Sequence, residues 1–286
     1  MTPASAGGAF AYAFTPYCGA PVGPDAVLQR WNLDPILLTA LLLTLVAYAA
    51  CSGLRLVDRG RVAAWRQGCF YAGWTIGALA VVSPLCPLSV SLFSARVAQH
   101  MLLASIVAPL VALGRPGALL AAGIARLTGR PAGTTGARLK SQPLTAAAVF
   151  AIALWVWHAP GPYTATFESD AVYWLMHLTL FGAALWLWSA LLDTPGERLG
   201  SFVAASALTT VQMGLLGAII TFAARPLYPP HEFTTFAWGL TPLEDQQLGG
   251  VVMWVPAGII LVVSMTVAFV QALARAEMRA LGRSVV

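Results

Sequence analysis

Charge is what this sequence has least of. Only 9% of its 286 residues are Asp, Glu, Lys or Arg, where a soluble domain carries about 25%. With 58% hydrophobic residues and a mean hydropathy of +0.75, the chain reads as an integral membrane protein rather than a soluble one. Cysteine is also scarce: four, with no C-x-x-C pair, which excludes a disulfide framework and a closed zinc site. Cys18 and Cys86 are read on one side of the membrane, where a disulfide, copper binding or simple packing are all open; Cys51 and Cys69 fall near the other face. Paired carboxylates, a nucleophile with a nearby base and a Gly-rich phosphate loop are missing, so a hydrolytic or phosphotransfer enzyme is not expected. The net charge of +5 does not imply a nucleic-acid partner, because the basic residues sit in short loops between apolar runs, as membrane topology requires.

What is present is a series of apolar runs. Residues 1–30 are rich in Gly, Ala and Pro and have no Lys or Arg before Arg30, which reads as an exposed arm rather than a cleavable signal peptide. Residues 31–286 form the membrane domain, with Trp31 at the interface, Asp34 as a helix cap and Pro35 in the first turn. Spans are predicted at about Pro35–Leu54, Gln67–Ser83, Leu92–Gly114, Pro143–Ala159, Ala171–Leu192 and Gly200–Ala223. A seventh opens on the capping box Thr241-Pro-Leu-Glu244 and runs through Pro256, where a kink is predicted. The basic Gly-rich stretch after Gly114 is expected to lie partly along the membrane surface, and a short acidic link joins the fourth and fifth spans. The expected fold is therefore all-α, a polytopic bundle of seven transmembrane helices. With the N-terminus outside and the C-terminus inside, thirteen of the sixteen basic residues fall on the inner side, leaving Arg30, Arg96 and Arg225 outside.

This orientation gathers the histidines. His100 descends to about 12 Å and His177 to about 10 Å below the outer surface at roughly 1.5 Å per residue, while His158 ends a helix rising to the same side. Ionisable groups inside a membrane face partner helices, water or ligand. Imidazoles on three helices, with Met101 and Met176 beside two of them and Met253 on the seventh helix, suit copper best; zinc also fits, and magnesium or calcium do not. Gln99, Asp245 and Gln246 are candidate supporting groups, Arg96 is either part of the site or an interfacial side chain, and His231 in the last outer loop marks a way in for the ion. Hydrogen-bonded packing is the competing role for each histidine, and core filling for each methionine. Two further readings remain open: a haem protein with His100 and His177 as axial ligands, and a metal-free scaffold or transporter.

The runs FSARVAQHMLLASIVAPLVALGRP, WHAPGPY, the helix of His177, TFAARPLYP and EDQQLGGVVMWVPAG, in that order, resemble the seven-helix CtaG-type cytochrome c oxidase assembly factors. The resemblance implies a non-enzymatic role in a bacterial inner membrane, maturing haem-copper oxidase by passing copper to an oxidase subunit or exchanging it with another copper chaperone. It implies functional positions at His100 with Met101, His158, His177, and Asp245 with Gln246. Many members carry His-Met four residues before the His-Met pair; here Arg96 and Val97 stand there. A cation at that point would repel a bound metal ion unless an acidic neighbour such as Asp245 neutralises it.

Overall fold

The computed structural model describes residues 15–53, 63–129, 142–192 and 199–283. The first fourteen residues of the expected arm, and the basic positions 55, 59, 61, 130, 138, 140 and 198 that weigh on orientation, lie outside the described residues. Among the described residues the regular structure is helical, with no strand.

The helices are α1 (Pro35–Gly53), α2 (Ala64–Val82), α3 (Leu85–Ser91), α4 (Phe93–Leu113), α5 (Pro116–Thr128), α6 (Pro143–His158), α7 (Pro160–Glu168), α8 (Asp170–Leu192), α9 (Leu199–Thr221) and α10 (Pro242–Arg283). Four of them, α1, α4, α8 and α9, are long and apolar enough to cross a bilayer. The bent pairs α2–α3, at 49°, and α6–α7, at 71°, raise this to six if each pair is one span.

Proline sets the breaks. Pro84 precedes α3, and Pro160 opens α7 after Ala159, whose ψ of 135° is the extended geometry favoured before proline. What reads in sequence as an acidic link is thus largely helix, burying Tyr163, Thr166 and Phe167 on one face. Within α4, Leu103–Val107 form a π turn. Pro109 lacks the N–H that would bond Ser105 and crowds that carbonyl, which accounts for the local widening. The carbonyl of Ala104, inside the π turn, accepts a hydrogen bond from the Trp188 indole at 2.8 Å.

Both predicted caps form. Asp34 accepts from the amides of Ile36 and Leu37 at 2.7 and 3.0 Å, and Glu244 accepts from the Thr241 amide at 2.8 Å. α10 continues through position 256 as one helix.

α4 lies at the centre, packed on α10 near its start and on α2 and α8 near its end, with α6 between α8 and α9. Between helices in lipid, association comes from close packing and hydrogen bonds more than from apolar burial. Gly249 of α10 shows this: a Cβ there would lie 2.5 Å from the Phe93 ring. Within residues 15–34 several side chains and amides are tied to the helices. Val22 is buried and its amide donates to Ser91 Oγ at 2.8 Å; Tyr17 stacks on Tyr173 at 4.8 Å; and Cys18 is disulfide-bonded to Cys86.

Candidate metal centre

His100 enters the interior from α4, one turn beyond Arg96, and His177 from α8. Their rings meet edge to face with centroids 5.1 Å apart. Both are buried, and among the described residues neither Nε2 has a hydrogen-bond partner. In His177 the Nδ1 proton goes to the Tyr173 carbonyl at 3.1 Å, an i to i−4 bond along the helix. That bond assigns the tautomer and leaves Nε2 with its lone pair, the form in which histidine binds a metal.

A cavity of about 10 Å³ lies between the two histidines, lined also by Leu103, Ala104, Leu180 and Phe181. It has room for about one water molecule or a bare ion. The π turn supplies two of its walls, Leu103 and Ala104.

His158 is also buried, with Nδ1 on the Leu154 carbonyl at 2.8 Å, and its own carbonyl accepts from Tyr228 at 3.0 Å. It does not line the cavity. Among the described residues, no three His, Cys, Asp or Glu side chains come together to hold a metal ion, so the histidines assemble as a pair. Met101, Met176 and Met253 are fully packed side chains away from the cavity wall.

The polar neighbours have structural employment. Asp245 reaches across to the start of α4, accepting from the amides of Phe93 and Ser94 at 2.6 and 3.2 Å and from the Ser94 hydroxyl. It therefore caps a neighbouring helix and does not neutralise Arg96. Gln246 accepts from the Leu227 amide at 2.6 Å and donates to the Ile220 carbonyl at 3.1 Å; Gln99 donates to the Ala80 carbonyl at 2.6 Å.

His231 lies in the loop between α9 and α10, as the sequence indicates, yet only 2% of it is exposed. Its Nε2 is 2.6 Å from the Tyr163 hydroxyl. Burial, with the Arg96 charge nearby, pulls its pKa down to about 3, so it is neutral at physiological pH.

Arg96 is 2% exposed and has no ion pair among the described residues. One terminal nitrogen donates to Thr166 Oγ1 at 2.6 Å, while the guanidinium carbon sits 4.3, 5.1 and 5.7 Å from the rings of Phe167, Tyr163 and Tyr173. Three aromatic faces thus take the place of a carboxylate. This cage was not foreseen, although Tyr163 and Phe167 at i and i+4 were available as a signal once the segment is read as helix.

Two buried imidazoles whose Nε2 atoms have no partner among the described residues, beside a cavity the size of an ion, can bind a soft or borderline cation. No curated protein and no solved structure matches the chain. A family model for the cytochrome c oxidase caa3 assembly factor (Caa3_CtaG) matches residues 46–275, which include α2 to α9 and both histidines. With that span covering most of its length, the chain belongs to the cytochrome c oxidase caa3 assembly factor family.

Proposed function

We propose that this assembly factor holds a single copper ion between His100 and His177 and hands it to a subunit of the maturing oxidase or to a second copper chaperone. The observation that carries the reading is the pair of unpartnered Nε2 atoms beside the small cavity. Imidazole is a good copper ligand, and a shared ion at about 2 Å from each nitrogen needs the two nitrogens within about 4 Å of one another. Rings at 5.1 Å are compatible with that span. The protein's own part is to orient the imidazoles and to enclose them among apolar side chains; no catalytic step is involved.

We further propose a seven-span arrangement in a bacterial inner membrane, with the two bent pairs and α10 completing the count and the N-terminus outside. The balance of basic residues supports it. A haem between the same rings is disfavoured, because a porphyrin needs a slot of hundreds of Å³ and the space between the histidines is about 10 Å³.

The test is the His100→Ala, His177→Ala double variant of the full chain, purified without chelator. Copper content by mass spectrometry should fall to background, and oxidase assembly in the host should fail. Unchanged copper with normal oxidase would end the reading.

A further inference from the structure

Above the histidine pair, the strap formed by residues 15–34 carries a second set of soft donors. Cys18 and Cys86 have Cα atoms 5.4 Å apart, close enough for both sulfurs to reach one ion once they are separate thiolates. Each sulfur already receives a hydrogen bond: the Tyr173 hydroxyl lies 3.4 Å from Cys18 Sγ, and Asn32 Nδ2 lies 3.5 Å from Cys86 Sγ. Such bonds strengthen when sulfur becomes anionic. Tyr173 is also the residue that orients His177, through its carbonyl at 3.1 Å and its ring at 4.2 Å. The Arg96 guanidinium stands 5.7 Å from the centre of the Tyr173 ring, with no carboxylate to balance it among the described residues.

We propose that the reduced Cys18–Cys86 pair is a second metal site, a dithiolate for a soft monovalent ion such as Cu(I), joined to the histidine pair through Tyr173. Thiolates select Cu(I) over hard cations. Cys18 is only half-buried, so an external dithiol reaches it. That reductant supplies two electrons and is itself oxidised to a disulfide; the Cys18–Cys86 bond breaks and each sulfur takes up a proton. Binding of one Cu(I) then releases both protons to water, with no change in the oxidation state of the metal. The disulfide is the unloaded, closed form of the strap, with Tyr17 stacked on Tyr173 and Trp174. In placing this site next to the histidines the proposal rests on the copper reading above, but its test is separate.

The full chain in detergent is titrated anaerobically with Cu(I) against the chromogenic chelator bicinchoninate, once as the disulfide and once after a dithiol reductant has been added and removed. The oxidised protein should take a single equivalent, at the histidines. The reduced protein should take a second, with a thiolate-to-Cu(I) charge-transfer band in the ultraviolet. Cys18→Ser, Cys86→Ser should bind a single equivalent under both conditions, and His100→Ala, His177→Ala should bind one only after reduction. If the histidine reading is wrong, the oxidised protein binds none and the reduced protein still gains its thiolate-bound ion, which supports the dithiolate site. A reduced protein that gains neither an ion nor the band overturns it. So does a loss of fold on reduction, seen by circular dichroism, which would make the disulfide a structural staple only.

Discussion

Arg96 is a buried cation one turn before His100, and its surroundings show how a guanidinium is accommodated there. Thr166 takes one of its N–H groups and three aromatic rings face the charge. It sits one helical turn from His100, a spacing of about 6 Å. A guanidinium about that far from a bound ion would cost a monovalent ion about 3 kcal/mol at an effective dielectric constant of about 20, and a divalent ion twice that. On the copper reading proposed above, this charge would act as a filter, disfavouring Zn²⁺ relative to Cu(I) at two histidines that offer no negative group of their own. Arg96→Gln should tighten Zn²⁺ binding by more than it tightens Cu(I), with the ratio of the two affinities shifting by about a factor of 100 from the difference of about 3 kcal/mol. Competition titrations with each ion read this directly; an unchanged ratio means that the charge is not felt at the site. At this scale the sequence exposes the histidines because ionisable residues in apolar runs are conspicuous, but not their partners. Which ring nitrogen is free, and that Asp245 serves a helix end rather than Arg96, depends on helix rotation, which nearly uniform apolar spans do not encode.

The helices themselves were mostly legible, because length and apolarity mark a span regardless of what it packs against. α1, α8 and α9 begin and end within a few residues of expectation, and the Asp34 and Thr241–Glu244 caps form as the residue types require. What escaped were short helices separated by proline, α3 and α7, since a proline-rich stretch reads equally well as a loop. α7 matters most, because it brings Tyr163, Thr166 and Phe167 to Arg96. The join between α10 and α4 is the element-scale contact with the sharpest consequence. α4 follows Leu92, an extended residue whose side chain cannot cap it, so its first amides depend on a carboxylate from α10. Asp245→Ala leaves the buried amides of Phe93 and Ser94 unpaired, at a cost of about 3 kcal/mol. The variant should unfold at a lower temperature in detergent, whereas Asp245→Asn, which keeps one acceptor, should lose less. Equal melting of all three forms would mean that the start of α4 does not depend on this cap.

For the molecule as a whole, two independent features favour the N-outside orientation proposed above. The arginine balance puts the loops after α1, α5 and α8 and the C-terminal end inside, and so leaves residues 15–34 and the α9–α10 loop outside. The cysteines make the same division by redox chemistry: the disulfide Cys18–Cys86 ties the strap to the start of α3, while Cys51 and Cys69, near the opposite ends of α1 and α2, are free thiols. Disulfides persist in oxidising compartments and thiols in reducing ones. The histidine pair is linked to the disulfide through Tyr173, so in the proposed orientation an ion would be received and passed on at the outer surface. Insertion of a fluorescent protein after Thr135 should therefore give fluorescent cells, while alkaline phosphatase inserted after Gly239 should be active, since the first folds in the cytoplasm and the second needs an oxidising exterior. The reverse pattern would place the histidines near the cytoplasmic face, where the strap would be reduced and any copper would have to come from inside the cell.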